Sequence, residues 1–240
     1  MRILGLDTAT AATAVALLDT DTGVGLTRRD DPPRGDRPRH ATRLLGLIAD
    51  ALEGDWDSLH RIAVGLGPGT FTGLRIGVAT ARALSHARGI PLVGISTLRA
   101  LALNAQQAPA GKPLTVLAAI DARRGEVFAA AWRLGEDGDR SLAETLLEPS
   151  VLRPETLADR TAQLGRSLLA IGSGAVEFRS YLERAGVAVP GDDSVLHSVN
   201  ALNHCRLAAA GEGTAEQGEI KPCYLRLPDA ELARKRRATQ

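Results

Sequence analysis

Short apolar runs alternate along this chain with stretches of helical period, and their order predicts an α/β protein. Ile3 to Leu6 is an apolar run closed by Asp7 and Ala14 to Leu18 is another. The small residues and threonines between them suit a tight turn, so strand, turn and strand are expected at the start. Asp30 to Arg39 is crowded with Pro, Arg and Asp and reads as a loop, after which a helical pattern runs from His40 to Leu52. Ile62 to Leu66 reads as a buried strand, Gly67 to Gly73 as a glycine-rich loop, and Leu74 to Arg88 as a helix closed by Gly89 and Pro91. A strand from Leu92 to Ile95 and a helix from Leu98 to Gln107 follow.

Ala108 to Pro113 has the composition of a linker, which divides the chain into an N-terminal lobe over 1–108 and a smaller second lobe over 109–232. Beyond it Val116 to Ile120 ends at Asp121, a polar turn Ala122-Arg-Arg-Gly-Glu126 follows, and Val127 to Trp132 is apolar again. This repeats the opening of the chain: an apolar strand ending in Asp, a turn, and a second apolar strand. A duplicated, two-lobed α/β fold is the expectation. Helical patterns around Pro154 to Leu164, Ala175 to Ala185 and Val199 to Ala210, with a strand near Leu168 to Ile171, fill the second half. The basic tail over 233–240 reads as disordered.

With 240 residues, 44% of them hydrophobic, the chain can bury two small lobes or one large domain. Lys and Arg number 29 against 28 Asp and Glu, so no overall field draws a polyanion to the surface, and contact with RNA must be local or made through a partner. Cys205 and Cys223 fit neither a disulfide framework nor a metal-site spacing, which suits a reducing compartment. Met1 leads directly into Arg-Ile-Leu-Gly-Leu-Asp without a basic and apolar leader, and no run is long enough to span a bilayer, so a cytoplasmic protein with no membrane partner is expected.

The segment Gly65-Leu-Gly-Pro-Gly-Thr-Phe-Thr-Gly-Leu-Arg75 carries the most chemical information, because its glycines permit left-handed backbone and bring N–H groups close to a helix start. Gly67, Pro68, Gly69 and Gly73 could cradle an anion or could form a structural turn, and periodicity does not choose between the two. The dinucleotide fingerprint fails on spacing, and the Walker pattern fails because Lys occurs only at 112, 221 and 235. Asp7 with Thr8 and Thr10 could support a phosphate and its metal ion, although an Asp accepting hydrogen bonds from its own turn is the commoner arrangement. Histidines at 40, 60, 86, 197 and 204 include no pair three or four apart, so no metal site built on them is expected. No Gly-x-Ser-x-Gly elbow is present and neither cysteine has a recognisable His partner, which leaves hydrolase chemistry without a visible centre.

Two helices have unusually broad apolar stripes. Leu44, Leu45, Leu47, Ile48, Ala51 and Leu52 form one, and Leu74, Ile76, Val78, Ala79, Ala81, Ala83 and Leu84 form the other. Either both helices are buried within the chain or together they dock a second protein, with Gly77, Ala81 and Ser85 permitting close helix approach. Basic clusters at Arg28 to Arg43 and Arg234-Lys-Arg-Arg237 read first as solvated surface, the former diluted by Asp30, Asp31 and Asp36.

Four stretches together resemble the TsaB (YeaZ) family: Arg2 to Thr10, Gly67 to Arg75, Gly94-Ile-Ser-Thr-Leu98, and Ile120 to Phe128, with Pro222-Cys-Tyr-Leu-Arg226 matching the family's ending. The resemblance spans the chain. It implies an actin-like ATPase fold (the ASKHA, ribonuclease H-like class) and a non-catalytic subunit similar to TsaD. Such a subunit binds and activates TsaD, working also with TsaE, in transferring threonylcarbamoyl to the adenosine next to the anticodon of tRNAs that read codons starting with A. TsaC-type enzymes supply the threonylcarbamoyl-adenylate. ATP is used by that wider complex, no cofactor is expected in the isolated chain, tRNA is met mainly through the complex, and a homodimer is a further possibility when the chain is alone. TsaD-like chains carry a His-x-x-x-His metal pair at positions that align with Thr97 and Leu101, so the metal site is expected to be lost. The partner surface implied lies on the two N-lobe helices, with Leu44, Ile48, Arg75, Ile76, Ala79 and Ala83 as interface candidates. Asp7, Thr8, Gly67, Pro68, Gly69 and Gly73 are expected to be a vestigial nucleotide or phosphate loop, with no catalytic residue. No family role falls to Arg28–Arg39. The runner-up is an autonomous actin-fold phosphotransferase using Asp7, the 67–73 loop and Asp121. A glycoprotease-like peptidase is a third reading, without the paired histidines it would need.

Overall fold

A computed structural model describes residues 1–33, 35–108, 115–135, 142–165, 167–215 and 220–226. Residues 109–113 of the linker and the basic tail over 233–240 lie outside them. The first half runs β1 (Arg2–Asp7), β2 (Thr13–Asp19), β3 (Gly25–Asp30), α1 (His40–Leu52), β4 (Leu59–Gly65), α2 (Phe71–Arg88), β5 (Leu92–Ile95) and α3 (Thr97–Ala102), with a short 3-10 turn over Leu103–Gln107. The second half runs β6 (Thr115–Arg123), β7 (Glu126–Leu134), β8 (Leu142–Leu152), α4 (Pro154–Thr161), β9 (Leu168–Ile171), α5 (Ser173–Glu177), α6 (Arg179–Arg184), α7 (Ala201–Ala209) and β10 (Thr214–Ala215).

Two sheets result, with strand orders β10-β5-β4-β1-β2-β3 and β8-β7-β6-β9. The repeated unit is larger than the strand pair expected. In each half three antiparallel strands are followed by a helix and a strand that returns parallel to the first, β4 beside β1 and β9 beside β6. The third strands escaped the sequence reading because neither is an apolar run: β3 is exposed at every second position, and the middle of β8 is exposed or half-buried throughout.

The lobe boundary needs correction. After β9 the chain returns to the first sheet, where α7 packs on β1 and β2 and β10 pairs with β5, so the second lobe does not extend unbroken to residue 232. Packing dictates this return. Gly5 in β1 has no side chain, and a Cβ there would come within 2.4 Å of the Ala201 carbonyl oxygen and 2.7 Å of Cys205 Sγ. The thiol, fully buried, donates toward the Ile3 carbonyl oxygen at 3.4 Å, and burial pushes its pKa up to about 12.

Helix layers alternate with the sheets. α3 and α7 lie between the two sheets, sharing one core with Ile3, Ala16, Ile95, Val116, Ala118 and Trp132. On the far side of the first sheet α1 and α2 cover Leu4, Leu6, Val15, Ile62 and Val64, and on the far side of the second α4 and α6 cover Leu117, Val127 and Ala129. Alternate residues of β1 therefore feed opposite cores, as the two-residue period of a strand requires.

The broad stripe of α1 is mostly inward. Leu44, Leu47, Ile48, Ala51 and Leu52 recur at helical spacing on the face that meets the sheet, and Leu44 and Ile48 are each 1% exposed. These two interface candidates are thus core residues, buried because three- and four-residue steps carry them onto the same side as Leu47 and Leu52. Ile48→Ala should lower the free energy of unfolding by about 2–5 kcal/mol in a denaturant titration, the range for truncating a core side chain.

Candidate functional site

The carboxyl ends of the parallel strands converge on Asp7, the place where open α/β sheets bind ligands. Asp7 ends β1, Gly65 ends β4, and Thr97 opens α3 just beyond β5. Asp7 is 1% exposed and its oxygens are held by protein. Oδ1 accepts from the Ala9 N–H at 2.8 Å, Oδ2 accepts from the Thr97 hydroxyl at 2.7 Å, and His204 Nε2 of α7 lies 2.9 Å from Oδ2. The imidazole contact is close but poorly aligned as a hydrogen bond. Burial alone would raise the Asp7 pKa, but it lies below the usual carboxylate range because His204, the Ala9 N–H and the Thr97 hydroxyl all favour the ionised form. Thr97 also receives the Gly67 N–H at 3.2 Å, and its own N–H donates to the Gly67 carbonyl at 2.8 Å. One threonine thereby ties the aspartate to the glycine loop.

The glycines of that loop serve close packing. A Cβ on Gly65 would lie 2.0 Å from Asp7 Oδ2, one on Gly69 would lie 2.3 Å from the Ala9 carbonyl oxygen, and one on Gly73 would lie 2.0 Å from the Thr8 carbonyl oxygen. The Thr70 N–H donates to Ala9 at 2.8 Å and the Thr8 hydroxyl to the Gly73 carbonyl at 2.7 Å. Asp7, Thr8, Gly67, Pro68, Gly69 and Gly73 are brought together at the strand ends. What fills the cradle is the chain's own turn at Thr8 and Ala9. The helix also begins at Phe71 rather than Leu74, so its first turn is part of that contact.

Behind this turn stands His40, 4% exposed, with Nδ1 2.8 Å from Thr13 Oγ1 and Nε2 without a hydrogen-bond partner among the described residues. Burial lowers its pKa, against the opposing pull of Asp7, the Thr10 backbone and Asp30. Asp30, 7% exposed, accepts from Arg39 at 2.8 and 3.1 Å and from Arg43 at 3.2 Å. Part of the Arg28–Arg39 segment thus joins the end of β3 to the start of α1, a role sequence alone could not assign because Arg and Asp both read as solvated.

In the second unit Asp121 occupies the place of Asp7. Its Oδ1 accepts the Arg123 N–H at 2.7 Å and its Oδ2 lies 3.2 Å from the Arg123 guanidinium. Arg123, Arg124 and Gly125 all adopt left-handed backbone, with φ of 63°, 60° and 72°. This turn faces the first turn of α2 across a cleft of about 420 Å³, closed on a third side by Cys223 to Arg226. The C-terminal segment spans both lobes there: the Cys223 N–H donates to the Leu66 carbonyl at 2.7 Å, and Arg226 pairs with Glu126 at 2.9 Å.

The outer face of α2 is bare. Arg75, Ala79 and Ala83 are exposed, and Ile76 is half-buried against the core under the helix. Leu45 of α1 is 62% exposed. Tyr224, missed in the sequence, stacks on Phe71 with ring centroids 5.1 Å apart, and Arg75 lies 3.8 Å over the Phe71 ring with Nε 3.3 Å from the Tyr224 hydroxyl. Scarcity was the available signal, since the chain has only 2 tyrosines and one sits in the family's terminal motif. Leu101 is fully buried in the central core, and among the described residues no group of three or more His, Cys, Asp or Glu is placed to hold a metal ion. No helix among those residues is long and apolar enough to cross a membrane.

Comparison with known proteins joins these observations. The profile of the family described as "TsaD: tRNA N6-adenosine threonylcarbamoyltransferase" matches residues 32–179. The Escherichia coli "tRNA threonylcarbamoyladenosine biosynthesis protein TsaB" is 33% identical, over 94% of this chain and 95% of its own. The chain belongs to the TsaB (YeaZ) family. A solved structure titled "YeaZ from Pseudomonas aeruginosa" superposes with a TM-score of 0.69 at 30% identity, covering 90% of this chain and 97% of its own. A second Pseudomonas aeruginosa structure, described as having "similarity to peptidase YEAZ", gives 0.72 at 32% identity over 94% and 99% of the two chains. A ROK hexokinase from Thermus thermophilus, 14% identical with a TM-score of 0.50, has the same fold, and the family is accordingly a two-lobed, actin-like one.

Because the folded Asp7 titrates below an unfolded aspartate, the unfolded chain takes up its proton first. The stabilisation is present above about pH 4 and is lost as pH falls below it. Asp7→Asn should cost on the order of 3 kcal/mol at pH 7 and should flatten the acid limb of a plot of stability against pH. A variant that unfolds in acid just as the wild type does would show that Asp7 does not set that limb.

Proposed function

We propose that this chain is a non-catalytic subunit of tRNA threonylcarbamoyladenosine biosynthesis, which binds a TsaD protein through the outer faces of α1 and α2 and so supports transfer of the threonylcarbamoyl group. One observation carries the reading. At the strand ends where an actin-fold enzyme needs a free carboxylate, Asp7 is engaged by Ala9, Thr97 and His204 and covered by the first turn of α2. Thr97 and Leu101, at the positions of the metal-binding histidines in TsaD-like chains, are spent on holding Asp7 and filling the core. The exposed helical face is then the conspicuous functional surface, and family membership supplies the kind of partner. ATP, TsaE and tRNA belong in this reading to the assembled complex.

The test is reconstitution of the modification with TsaC, TsaD and TsaE proteins, with and without this chain. Omission should abolish product. Ala79→Glu, at an exposed position that leaves the core untouched, should weaken TsaD binding by on the order of 100-fold or more, the effect of an unpaired charge in a buried interface. Unaltered binding and activity would show that α2 is not the contact. Turnover of Mg-ATP by the chain alone would instead favour the phosphotransferase that the cleft beside Asp121 could house.

A further inference from the structure

The near-neutral total of 29 basic and 28 acidic residues conceals a separation of charge. Asp19, Asp21, Asp50, Glu53, Asp55 and Asp57 gather at the end of the first sheet where β1 starts, around Arg2 and the Met1 amine. At the opposite end, where β1 finishes, Arg123, Arg124 and Arg226 line the cleft of about 420 Å³, and Arg75 reaches the Tyr224 hydroxyl at its edge. Two carboxylates oppose these cations, Asp121 paired with Arg123 and Glu126 paired with Arg226. The first turn of α2, which forms the facing wall, contains no acid, and Thr70 does not cap it with its side chain, so the positive end of the helix dipole adds to the field. Aromatic rings collect in the same place. Of the 3 Phe and 2 Tyr in the whole chain, Phe71, Phe128 and Tyr224 all line this cleft, and Tyr224 is 40% exposed, with ring surface open to solvent.

We propose that this cleft binds an unpaired stretch of RNA directly, with phosphates at Arg123, Arg124 and Arg226 and a base stacked on Tyr224. The inference rests on the reading that the chain serves tRNA modification, and it adds that this chain touches the RNA itself. Cations that neutralise phosphates release counterions, and aromatic rings accept any base because every base has a π-face, so the two together are what a single strand needs. An acidic peptide would use the arginines and leave the aromatic platform idle. A cleft of this volume, closed on a third side by Cys223 to Arg226, admits single nucleotides and excludes a duplex. The Arg123 N–H bond to Asp121 fixes the turn that presents both arginines, which lowers the ordering cost of binding. The acidic end of the sheet repels the same polyanion and so orients the approach.

Fluorescence anisotropy of an end-labelled, unmodified tRNA transcript titrated with the full chain tests this at about 50 and about 200 mM salt. Three phosphate contacts should raise Kd about 20-fold across that range. Arg123→Asn combined with Arg124→Asn, a residue that tolerates left-handed backbone, should cut the rise to about 3-fold and weaken binding at the lower salt about 10-fold. Arg153→Gln with Arg160→Gln removes equal charge from α4, on the far side of the second sheet, and should match the wild type. Tyr224→Ala should weaken binding about 10-fold and Tyr224→Phe should leave it unchanged. Equal weakening by the α4 variant, indifference to loss of Arg123 and Arg124, or displacement of the transcript by excess Mg-ATP would overturn the inference, the last by revealing a mononucleotide site. TsaD binding, followed by sedimentation velocity, should be unchanged in the Arg123 and Arg124 variant; its loss with RNA binding intact would assign the cleft to an acidic segment of the partner instead. If reconstitution requires the chain while the transcript does not bind it, the proposed function stands and only the RNA contact fails.

Discussion

A buried carboxylate fixes much of this molecule. Asp7 is an ionised group at the meeting of β1, β4 and β5, and a charge removed from water is tolerable only when partners surround it. Each partner comes from a different element: Ala9 from the turn after β1, Thr97 from the start of α3, His204 from α7. Satisfying the charge therefore positions three elements at once, and Gly65 must lack a side chain so that the carboxylate fits. Asp7 is thereby a structural hub.

The same contacts explain why the glycine-rich loop is conspicuous in sequence and closed in structure. Glycine lets two backbones meet, whether the second belongs to a ligand or to the protein. At Gly69 and Gly73 it belongs to Ala9 and Thr8. Helix α2 is thereby seated firmly at its N-terminal end, and its opposite side is left to solvent. The filled cradle at the strand ends and the exposed outer face of α2 are two results of one packing arrangement.

The lobes are joined by more than a linker. α3 and α7 fill the space between the sheets, Asn203 of α7 donates to Asn104 and to the Ala100 carbonyl at 2.8 and 2.9 Å, and residues 223–226 bridge Leu66 to Glu126. A core shared in this way opposes independent movement of the two lobes.

By themselves, the residues determined the strand pair that opens each half, the bounds of α1, the close of α2 at Gly89 and the strand–loop–helix order around Gly67 to Gly73, because period and turn chemistry are local properties. The motifs identified the family for a similar reason: they record side chains and glycines whose spacing is constrained locally. Tertiary structure decided the rest. That Leu44 and Ile48 face inward while Ala79 and Ala83 face outward depends on which side of a broadly apolar helix meets the sheet. β3 and β8 lack an apolar signal because each lies at the edge of its sheet with much of its side-chain surface in solvent. The return of α7, which brings His204 to Asp7 from 197 positions away, follows from the fit of a helix against Gly5, and no local pattern encodes a contact made across that distance.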